Sequence, residues 1–322
     1  MIAQPALITL RGDDTQQRSA QQALHLAFAQ WRAGPAWAKL IAEIGQYARS
    51  GELAGCKALE SLFGDDGTSA KELSCDFVAM VAEAITGSPL GHVPLRHFSD
   101  GISSTLQLVR TGNCVLSLCA VTGEGRPEPE TVSFGPNRVH TRILAGRAQA
   151  DLVECNPADE LGVRLKFRGI ALAPGVSLDL AGETQALVIR RIDGCLLSLK
   201  LQRRDDNALL FREYDLLTGR LAHQSAGNPR DSRIEMMLAL LGRMNRADAA
   251  PLMAGIALEQ GASSLRWQAL RECLALDTLE GFRALNAIAD APDDPLEGPA
   301  LSLRAQLLEQ HPQLREIAKC PA

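Results

Sequence analysis

The sequence has few aromatic residues and no long apolar run. Only 4% of its 322 residues are aromatic, although 46% are hydrophobic. A membrane-spanning helix needs about 20 consecutive apolar residues, whereas the most apolar helical candidate, residues 77–85, is short and contains Glu83. The first ten residues are apolar but carry no basic segment of the kind that opens a secretory signal. We therefore expect a soluble, cytoplasmic protein with no membrane partner.

The sequence also lacks paired cysteines. None of its eight cysteines forms a C-x-x-C motif, and the closest two, Cys114 and Cys119, are five residues apart. An extended strand directs side chains at that offset to opposite faces. In a reducing compartment, scattered cysteines behave mostly as small buried hydrophobic residues. The cysteines therefore predict neither a disulfide framework nor a metal site.

An excess of one charge is missing as well. The chain carries 33 basic and 38 acidic residues, which gives a net charge of −5. A basic run at Lys200, Arg203 and Arg204 is followed at once by Asp205 and Asp206, a pattern typical of a solvated turn. Neutralising a phosphate backbone requires a basic excess, so we expect no nucleic-acid partner.

The common motifs of catalysis and nucleotide binding are absent. The chain contains no G-x-S-x-G nucleophile motif. It also lacks G-x-G-x-x-G and G-x-x-x-x-G-K-[ST], which bind phosphates. A cysteine could meet a histidine in space, but no local signature selects one. These absences favour a non-catalytic protein.

A period of 3.6 residues predicts helices over residues 15–87. The first apolar stripe is spaced by four and three residues: Leu24, Phe28 and Trp31. Pro35 is tolerated in the first turn of a helix, so a second helix should begin there after a tight connection. A third should begin after Thr68 and Ser69 and end at Gly87. We assign residues 1–92 to a helical N-terminal region.

Residues 93–214 consist of short apolar or alternating runs bounded by Gly, Pro and Asn. We predict strands at 105–110, 114–121, 131–134, 139–144, 148–154, 163–170, 176–180, 185–192 and 196–202. Turn signals at 111–113 and 193–194 fit hairpins between antiparallel strands. About nine strands in roughly 100 residues is the density of a β-sandwich or barrel.

The order of strand and turn in residues 139–178, ending in the corner Pro174-Gly175, resembles the cupin or jelly-roll pattern. The resemblance covers about a third of the chain. It implies an antiparallel jelly-roll-like β-domain, with metal ligands converging inside the barrel.

A cupin-type metal site would need an H-x-H pair, which this sequence lacks. His92 and His97 are five residues apart and separated by Pro94, and the other candidates stand alone. We therefore expect no cofactor. The alternative is a divalent transition metal held by His97, His140 and His223 in a divergent cupin-like enzyme, or a small-molecule sensor with its site in the β-domain.

The helical period returns in residues 215–322. Ser232 and Glu235 fit a capping box. The apolar stripe that follows consists of Ile234, Met237, Leu238, Leu241 and Met244. Four more helices are predicted to begin near Asp248, near Ser264, at Asp277 and after Pro295. Helices this short must pack as antiparallel neighbours to bury their stripes.

The C-terminal third of the chain resembles HEAT-type helical repeats over about 80 residues. The residues that carry the resemblance run from Leu265 through Asp277 and Phe282 to Pro295. HEAT-like stacks mostly form interaction surfaces, so the resemblance implies a protein partner. Unmatched apolar area on a short stack would also suit a homodimer.

Two polar segments supply candidate binding residues. The denser one, 220–235, joins the β-region to the helices at a predicted domain junction, where clefts are common. Its candidates are His223, Gln224, Arg230, Asp231 and Arg233. Helix capping by Asp231 or Ser232 explains the same residue types. The second segment, 94–100, contributes Arg96, with a domain linker as the alternative.

The sequence thus predicts an α+β protein in three parts: N-terminal helices (1–92), an antiparallel jelly-roll-like β-domain (93–214) and a HEAT-like helical stack (215–322). The preferred function is a non-catalytic interaction or regulatory protein. It would bind a protein partner or small ligand at the junction between the β-domain and the helical stack.

Overall fold

The computed structural model describes residues 13–64, 68–157, 162–205, 210–226 and 229–317. The chain divides into two compact units. The first unit comprises Met1–Asp206 and Tyr214–Leu221, and the second comprises Asn207–Glu213 and Ala222–Ala322. The mixture of helices and antiparallel sheets confirms the predicted α and β content. The three-part division remains a prediction.

The first unit begins with helices α1 (Thr15–Ala33), α2 (Pro35–Ser50), α3 (Lys57–Phe63) and α4 (Thr68–Gly87). Pro35 opens α2 as predicted, because its fixed φ suits a first helical position. The ring of Trp31 lies 4.0 Å from that of Trp37 and 5.0 Å from that of Phe77, measured between centroids. Helix α3 was not predicted, since seven residues are too few for a clear apolar period.

The strands are β1 (Arg96–Ser99), β2 (Ser103–Thr111), β3 (Cys114–Thr122), β4 (Thr131–Phe134), β5 (Asn137–Pro157), β6 (Val163–Leu172), β7 (Ser177–Ala181), β8 (Gln185–Arg204), β9 (Leu210–Asp215) and β10 (Leu221–Ala226). A seven-stranded sheet has the order β1-β2-β3-β8-β5-β6, with β7 also paired to β5. A three-stranded sheet has the order β10-β9-β4.

Strands β5 and β8 are each continuous where the sequence predicted two strands. They are 21 and 20 residues long, and they pair along most of their length with shifts of register around Ala145. Gly146 has a φ of 85°, so it bends β5 at a bulge without ending it. The predicted break at 145–147 was therefore wrong.

Three short strands were not predicted: β1, β9 and β10. Two of them, β1 and β10, have no alternating apolar pattern. All four residues of β1 are exposed. Strand β10, with the sequence LAHQSA, lies inside the region 215–322 that we predicted to be helical, so that assignment was wrong for 221–226. Backbone pairing, and not side-chain burial, defines both strands.

One apolar core joins the helices of the first unit to its sheet. Phe28 and Phe77 from the helices pack in the same cluster as Leu116, Leu199 and Leu201 from the strands. A second cluster in the sheet includes Ile143, Leu172 and Ile192. The first of these clusters holds α1–α4 against one face of β2, β3 and β8.

The second unit contains α5 (Pro229–Arg243), a short 3-10 helix (Ala247–Ala249), α6 (Ala250–Leu258), α7 (Ser263–Leu276), α8 (Thr278–Ala289), α9 (Glu297–Gln310) and α10 (Leu314–Ile317). Asp277 caps α8 as predicted, because its carboxylate accepts the backbone N–H groups of Leu279 and Glu280 at 3.0 and 3.1 Å. The predicted cap at Ser232 was wrong, since α5 already begins at Pro229, a residue suited to the first turn.

The apolar stripe predicted on α5 is only partly buried. Leu238 is 2% exposed, whereas Met237 and Met244 are 54% and 55% exposed. Leu238 joins the core of the second unit together with Met253, Leu270 and Phe282. The HEAT-like character of these helices remains a prediction.

Within the described part of the chain, no helix is both long and apolar enough to cross a bilayer. The seven described cysteines form no disulfide, and Cys56, Cys114, Cys119 and Cys273 are buried. Cys320 lies outside the described residues.

Candidate functional site

A cavity of about 670 Å³ lies in the first unit between the α2–α3 segment and strands β5 and β7. The helical side contributes Tyr47, residues 51–54 and Glu60, and the strands contribute Arg138, His140 and residues 177–179. The volume is within the range of small-molecule sites. We call it the His140 cavity.

The register of β5 and β7 brings the polar residues of the cavity together. Arg138 and His140 are two residues apart on β5 and therefore share one face of the strand. Asp179 on β7 is paired directly with His140. Tyr47 reaches the same point from the last turn of α2 and is 1% exposed.

The helical wall is fixed to the strands by two hydrogen bonds to backbone carbonyls. Ser177 Oγ donates to the carbonyl of Phe63 at 2.6 Å. The buried Arg142 donates from Nη1 to the carbonyl of Gly64. These bonds hold the end of α3 against β5 and β7 and so fix the position of one side of the cavity.

A continuous chain of polar contacts runs through the wall. Tyr47 Oη lies 2.9 Å from His140 Nε2, and His140 Nδ1 lies 3.3 Å from Asp179 Oδ1. Arg138 then donates to both oxygens of Asp179, from Nε at 2.8 Å and from Nη2 at 2.6 Å. Because the ionised Asp179 only accepts, we place the imidazole proton on Nδ1, and Nε2 accepts from the Tyr47 hydroxyl.

Burial determines the charges of these groups. It lowers the pKa of His140, with the Asp179 carboxylate acting in the opposite direction, so the imidazole is neutral near pH 7. It raises the pKa of Tyr47 to about 12. The hydrogen bonds from Arg138 lower the pKa of Asp179. The series of polar contacts therefore ends in one ion pair, between Arg138 and Asp179.

Among these polar contacts, the ion pair between Arg138 and Asp179 is the part that a ligand can reach. The side chains of Arg138 and Asp179 are 53% and 44% exposed, whereas that of His140 is 7% exposed. Glu52 and Glu60, both exposed, also line the cavity. The opening of the cavity thus presents carboxylate acceptors and guanidinium donors to a ligand. The buried side chains of His140 and Tyr47 lie behind them and hold them in place.

The structure places the sequence-predicted candidates in different locations. Among the candidates, His140 is the residue that lines the cavity described above. Arg96 and His97 are exposed on β1, and His223 and Gln224 are exposed on β10 in the second unit. Arg230, Asp231 and Arg233 lie in the first turns of α5. The binding roles of these residues outside the cavity remain predictions.

Sequence reasoning missed Tyr47, Arg138 and Asp179. The spacing of Arg138 and His140, two apart in a predicted strand, was a usable signal because it places them on one face. Nothing local connects either of them to Tyr47, which precedes His140 by 93 positions.

The described residues contain no group of three or more His, Cys, Asp or Glu side chains that could hold a metal ion. The alternative metal set of His97, His140 and His223 therefore has no support from the geometry. Both ring nitrogens of His140 are also engaged, with Tyr47 and Asp179. These residues do not fit the metal site that the cupin resemblance implies.

No protein-family model matches the chain, and no curated protein matches it. Among solved structures, the 7S globulin of Momordica charantia shares 13% identity over 39% of this chain and 36% of its own, with a TM-score of 0.27. A cupin superfamily protein from Desulfitobacterium hafniense shares 13% identity over 34% of this chain and 83% of its own, with a TM-score of 0.24. HutD from Pseudomonas fluorescens shares 15% identity over 35% and 57%, with a TM-score of 0.24.

This chain thus spans about a third of the length of the globulin. Identities of 13–15% concern the fold alone, and TM-scores of 0.24–0.27 do not support a shared function.

Proposed function

We propose that this protein binds a small polar molecule in the His140 cavity and acts as a non-catalytic, cytoplasmic binding or sensor protein. The supporting observation is the chain of contacts from Tyr47 through His140 to the half-exposed pair of Asp179 and Arg138. A cupin-like barrel around the apolar cluster of Ile143 and Ile192 is part of this proposal, since the surrounding strands are antiparallel.

The cavity is suited to a polar ligand because its reachable groups are held in place before binding. Arg138 donates twice to Asp179, which fixes both side chains. His140 supports Asp179 from the buried side. A site ordered in this way loses little side-chain entropy on binding.

The same groups are poorly suited to catalysis. A general base near pH 7 needs a ring nitrogen that can reach the substrate, and both nitrogens of His140 are occupied. Tyr47, with a pKa of about 12, stays protonated. The proposal is therefore binding without chemical conversion.

A screen of small polar compounds by saturation-transfer NMR would test the proposal with matched variants. We expect hits that bind the natural protein and are lost in Asp179→Asn. The control is Asp151→Asn, which alters a second Arg–Asp pair, with Arg190 at 2.7 Å, outside the cavity. Hits that persist in Asp179→Asn, or a complete lack of hits, would refute binding in the cavity.

A second candidate function is protein binding by the second unit, as the sequence predicted for residues 220–235. It is favoured by a row of exposed apolar residues on α5: Met236, Met237, Leu240 and Met244. A HEAT-like packing of the helices would present such a row as an interaction surface. His223, Gln224, Arg230, Asp231 and Arg233 would contribute the polar contacts of the same interface.

The predicted homodimer is the form of this second function that can be tested without a known partner. In sedimentation velocity, we expect the natural chain to be a dimer and the double variant Met236→Ser with Leu240→Ser to be a monomer. A control variant, Leu26→Ser, changes an exposed leucine in the first unit and should leave the dimer intact. A monomeric natural chain would exclude the homodimer.

A further inference from the structure

Strand β6 forms one edge of the seven-stranded sheet and carries a row of cations. Arg164, Lys166 and Arg168 are all exposed. They alternate along the strand, so their side chains lie on one face of the sheet, about 7 Å apart. None of the three forms an ion pair with another described residue.

The outer edge of β6 has backbone groups available for pairing. The N–H of Val163 donates to the carbonyl of Gly219 at 2.9 Å, on the side away from β5. The register with β5 is unbroken from residue 163 to residue 172, and backbone direction alternates along a strand. The N–H and C=O groups of Leu165, Phe167 and Gly169 therefore also point outward.

Those outward groups have no backbone partner among the described residues. In the sheet β6 pairs with β5 alone, apart from one bridge between Gly162 and Arg220 at its beginning. The edge open to pairing thus runs from about residue 165 to residue 171. This is long enough for a short extended segment to add as a further strand.

A second copy of the same strand is a poor occupant of this edge. Antiparallel pairing of two β6 strands would place the cations of one copy opposite those of the other, and like charges opposite each other are destabilising. Lysines and arginines on edge strands commonly prevent self-association in this way. An occupant with negative charges would convert the same row into attraction.

We propose that the β6 edge binds an extended peptide in which acidic and apolar residues alternate. Added as a strand, such a peptide would pair its backbone with Leu165, Phe167 and Gly169. Its acidic side chains would lie beside Arg164, Lys166 and Arg168 on one face. Its apolar side chains would lie beside Phe167, which is 46% exposed, on the other face. In strand addition of this kind, backbone hydrogen bonds provide the affinity and side-chain contacts provide the specificity.

A single-stranded nucleic acid is the competing occupant, since its phosphates would also attract three cations. Its phosphates could accept from the outward N–H groups of β6, but they would leave the outward C=O groups without partners, because phosphates only accept. We therefore favour the peptide.

The test uses isothermal titration calorimetry of the full chain with a blocked nonapeptide that alternates Glu and Val. We expect this peptide to bind at least ten times more tightly than a peptide of the same composition with its glutamates consecutive. The triple variant Arg164→Gln, Lys166→Gln and Arg168→Gln should weaken binding at least tenfold. The matched control removes three exposed charges elsewhere in the first unit, by Lys39→Gln, Lys57→Gln and Lys71→Gln, and should bind like the natural chain.

A backbone variant separates strand addition from simple charge attraction. Gly169→Pro removes an outward N–H that β5 does not use, so it should weaken peptide binding at least tenfold. Gly169→Ala is its control, because a Cβ at this position would meet nothing closer than 3.9 Å. Circular dichroism confirms that each variant is folded before titration.

Equal binding of the two peptides, or no binding of the alternating peptide, would overturn the proposal. So would full binding by Gly169→Pro. A single-stranded oligonucleotide that binds more tightly than the peptide and is lost in the triple variant would show a nucleic-acid site instead. Loss of peptide binding in the triple lysine control would show non-specific attraction, which also refutes the proposal.

Discussion

At the scale of single residues, His140 is the centre of the cavity wall. Its imidazole is buried, yet both ring nitrogens have partners: the hydroxyl of Tyr47 and the carboxylate of Asp179. A buried polar group whose polar atoms all have partners is tolerated at little cost, whereas an additional charge there is expensive. The stability of the fold should therefore depend on the protonation state of this residue.

The first prediction concerns the pH dependence of stability. Folding holds the pKa of His140 below its ordinary value of 6.5, so the unfolded chain binds more protons between the two values. The free energy of unfolding should consequently fall as the pH is lowered through 6.5, and the decrease should stop below the folded-state pKa. Urea denaturation at a series of pH values from 7.5 to 5 measures this pH dependence of the free energy of unfolding.

The variant His140→Gln identifies the residue responsible for this pH dependence. It should be less stable than the natural chain at pH 7.5, and its stability should change less between pH 7.5 and 5. An undiminished pH dependence in this variant would assign the effect to other groups. Asp179 titrates below its ordinary range because of Arg138, so its effect appears at lower pH.

The second prediction compares two buried tyrosines. Tyr47→Phe removes the hydrogen bond to His140 and leaves a buried ring nitrogen without a partner, which should cost about 1–3 kcal/mol of unfolding free energy. Tyr214→Phe is the control, because Tyr214 is buried and its hydroxyl bonds to no other described residue. Tyr214→Phe should change the free energy of unfolding by no more than about 0.5 kcal/mol. Equal costs in urea denaturation would contradict the contact assigned to Tyr47.

The sequence could reveal only part of this site. His140 was a candidate because histidines are few and chemically distinctive. Asp179 is an ordinary carboxylate 39 positions away, and only the register of β5 with β7 places it opposite His140. Tyr47 belongs to an amphipathic helix, where an aromatic residue usually indicates core packing. Contacts across such distances are set by tertiary structure and leave no local pattern.

At the scale of elements, the bend in β5 is the feature with the clearest physical requirement. Gly146 has a φ of 85°, a left-handed conformation that residues with a Cβ rarely adopt. A Cβ on Gly146 would clash with the backbone carbonyl oxygen of Cys195 on β8. The close approach of two strands at the bulge thus excludes any side chain at this position.

The third prediction follows from that contact. Gly146→Ala should lower the free energy of unfolding by about 3 kcal/mol or more, since backbone strain and overpacking add. Gly175→Ala is a matched control, because Gly175 has a φ of 95° but nothing within 4 Å of its Cβ position. Gly175→Ala should lower the free energy of unfolding by only about 1–2 kcal/mol. If thermal denaturation shows equal costs, the close approach at Gly146 is not the cause.

The elements themselves were predictable to different degrees. The helix starting at Pro35 and the cap at Asp277 were found because helix termini depend on local backbone chemistry. The continuity of β5 was not found, since a glycine that bends a strand and a glycine that ends it look alike in sequence. Strand β10 was missed because its pairing is made by backbone groups that carry no sequence signal.

At the scale of the whole molecule, each unit has its own apolar core. Phe77 belongs to a cluster made only of first-unit residues. Phe282 belongs to a cluster made only of second-unit residues. Both rings are almost completely buried. Two separate cores in one chain favour two separate cooperative transitions.

The fourth prediction is that calorimetry of the full chain resolves two unfolding transitions. Phe77→Ala should lower the melting temperature of one transition and Phe282→Ala that of the other, with each core losing roughly 3–5 kcal/mol. The double variant should lower both. A single transition that moves equally in both variants would contradict independent unfolding.

The mixed core of the first unit has a consequence for how the chain is made. The buried faces of α1 and α4 pack against Leu199 and Leu201, which leave the ribosome about 170 and about 120 residues after Phe28 and Phe77, respectively. At typical rates of synthesis that delay is on the order of ten seconds. Until β8 emerges, its leucines do not yet cover the apolar surface of the N-terminal helices, so a nascent-chain chaperone should bind these helices during this time.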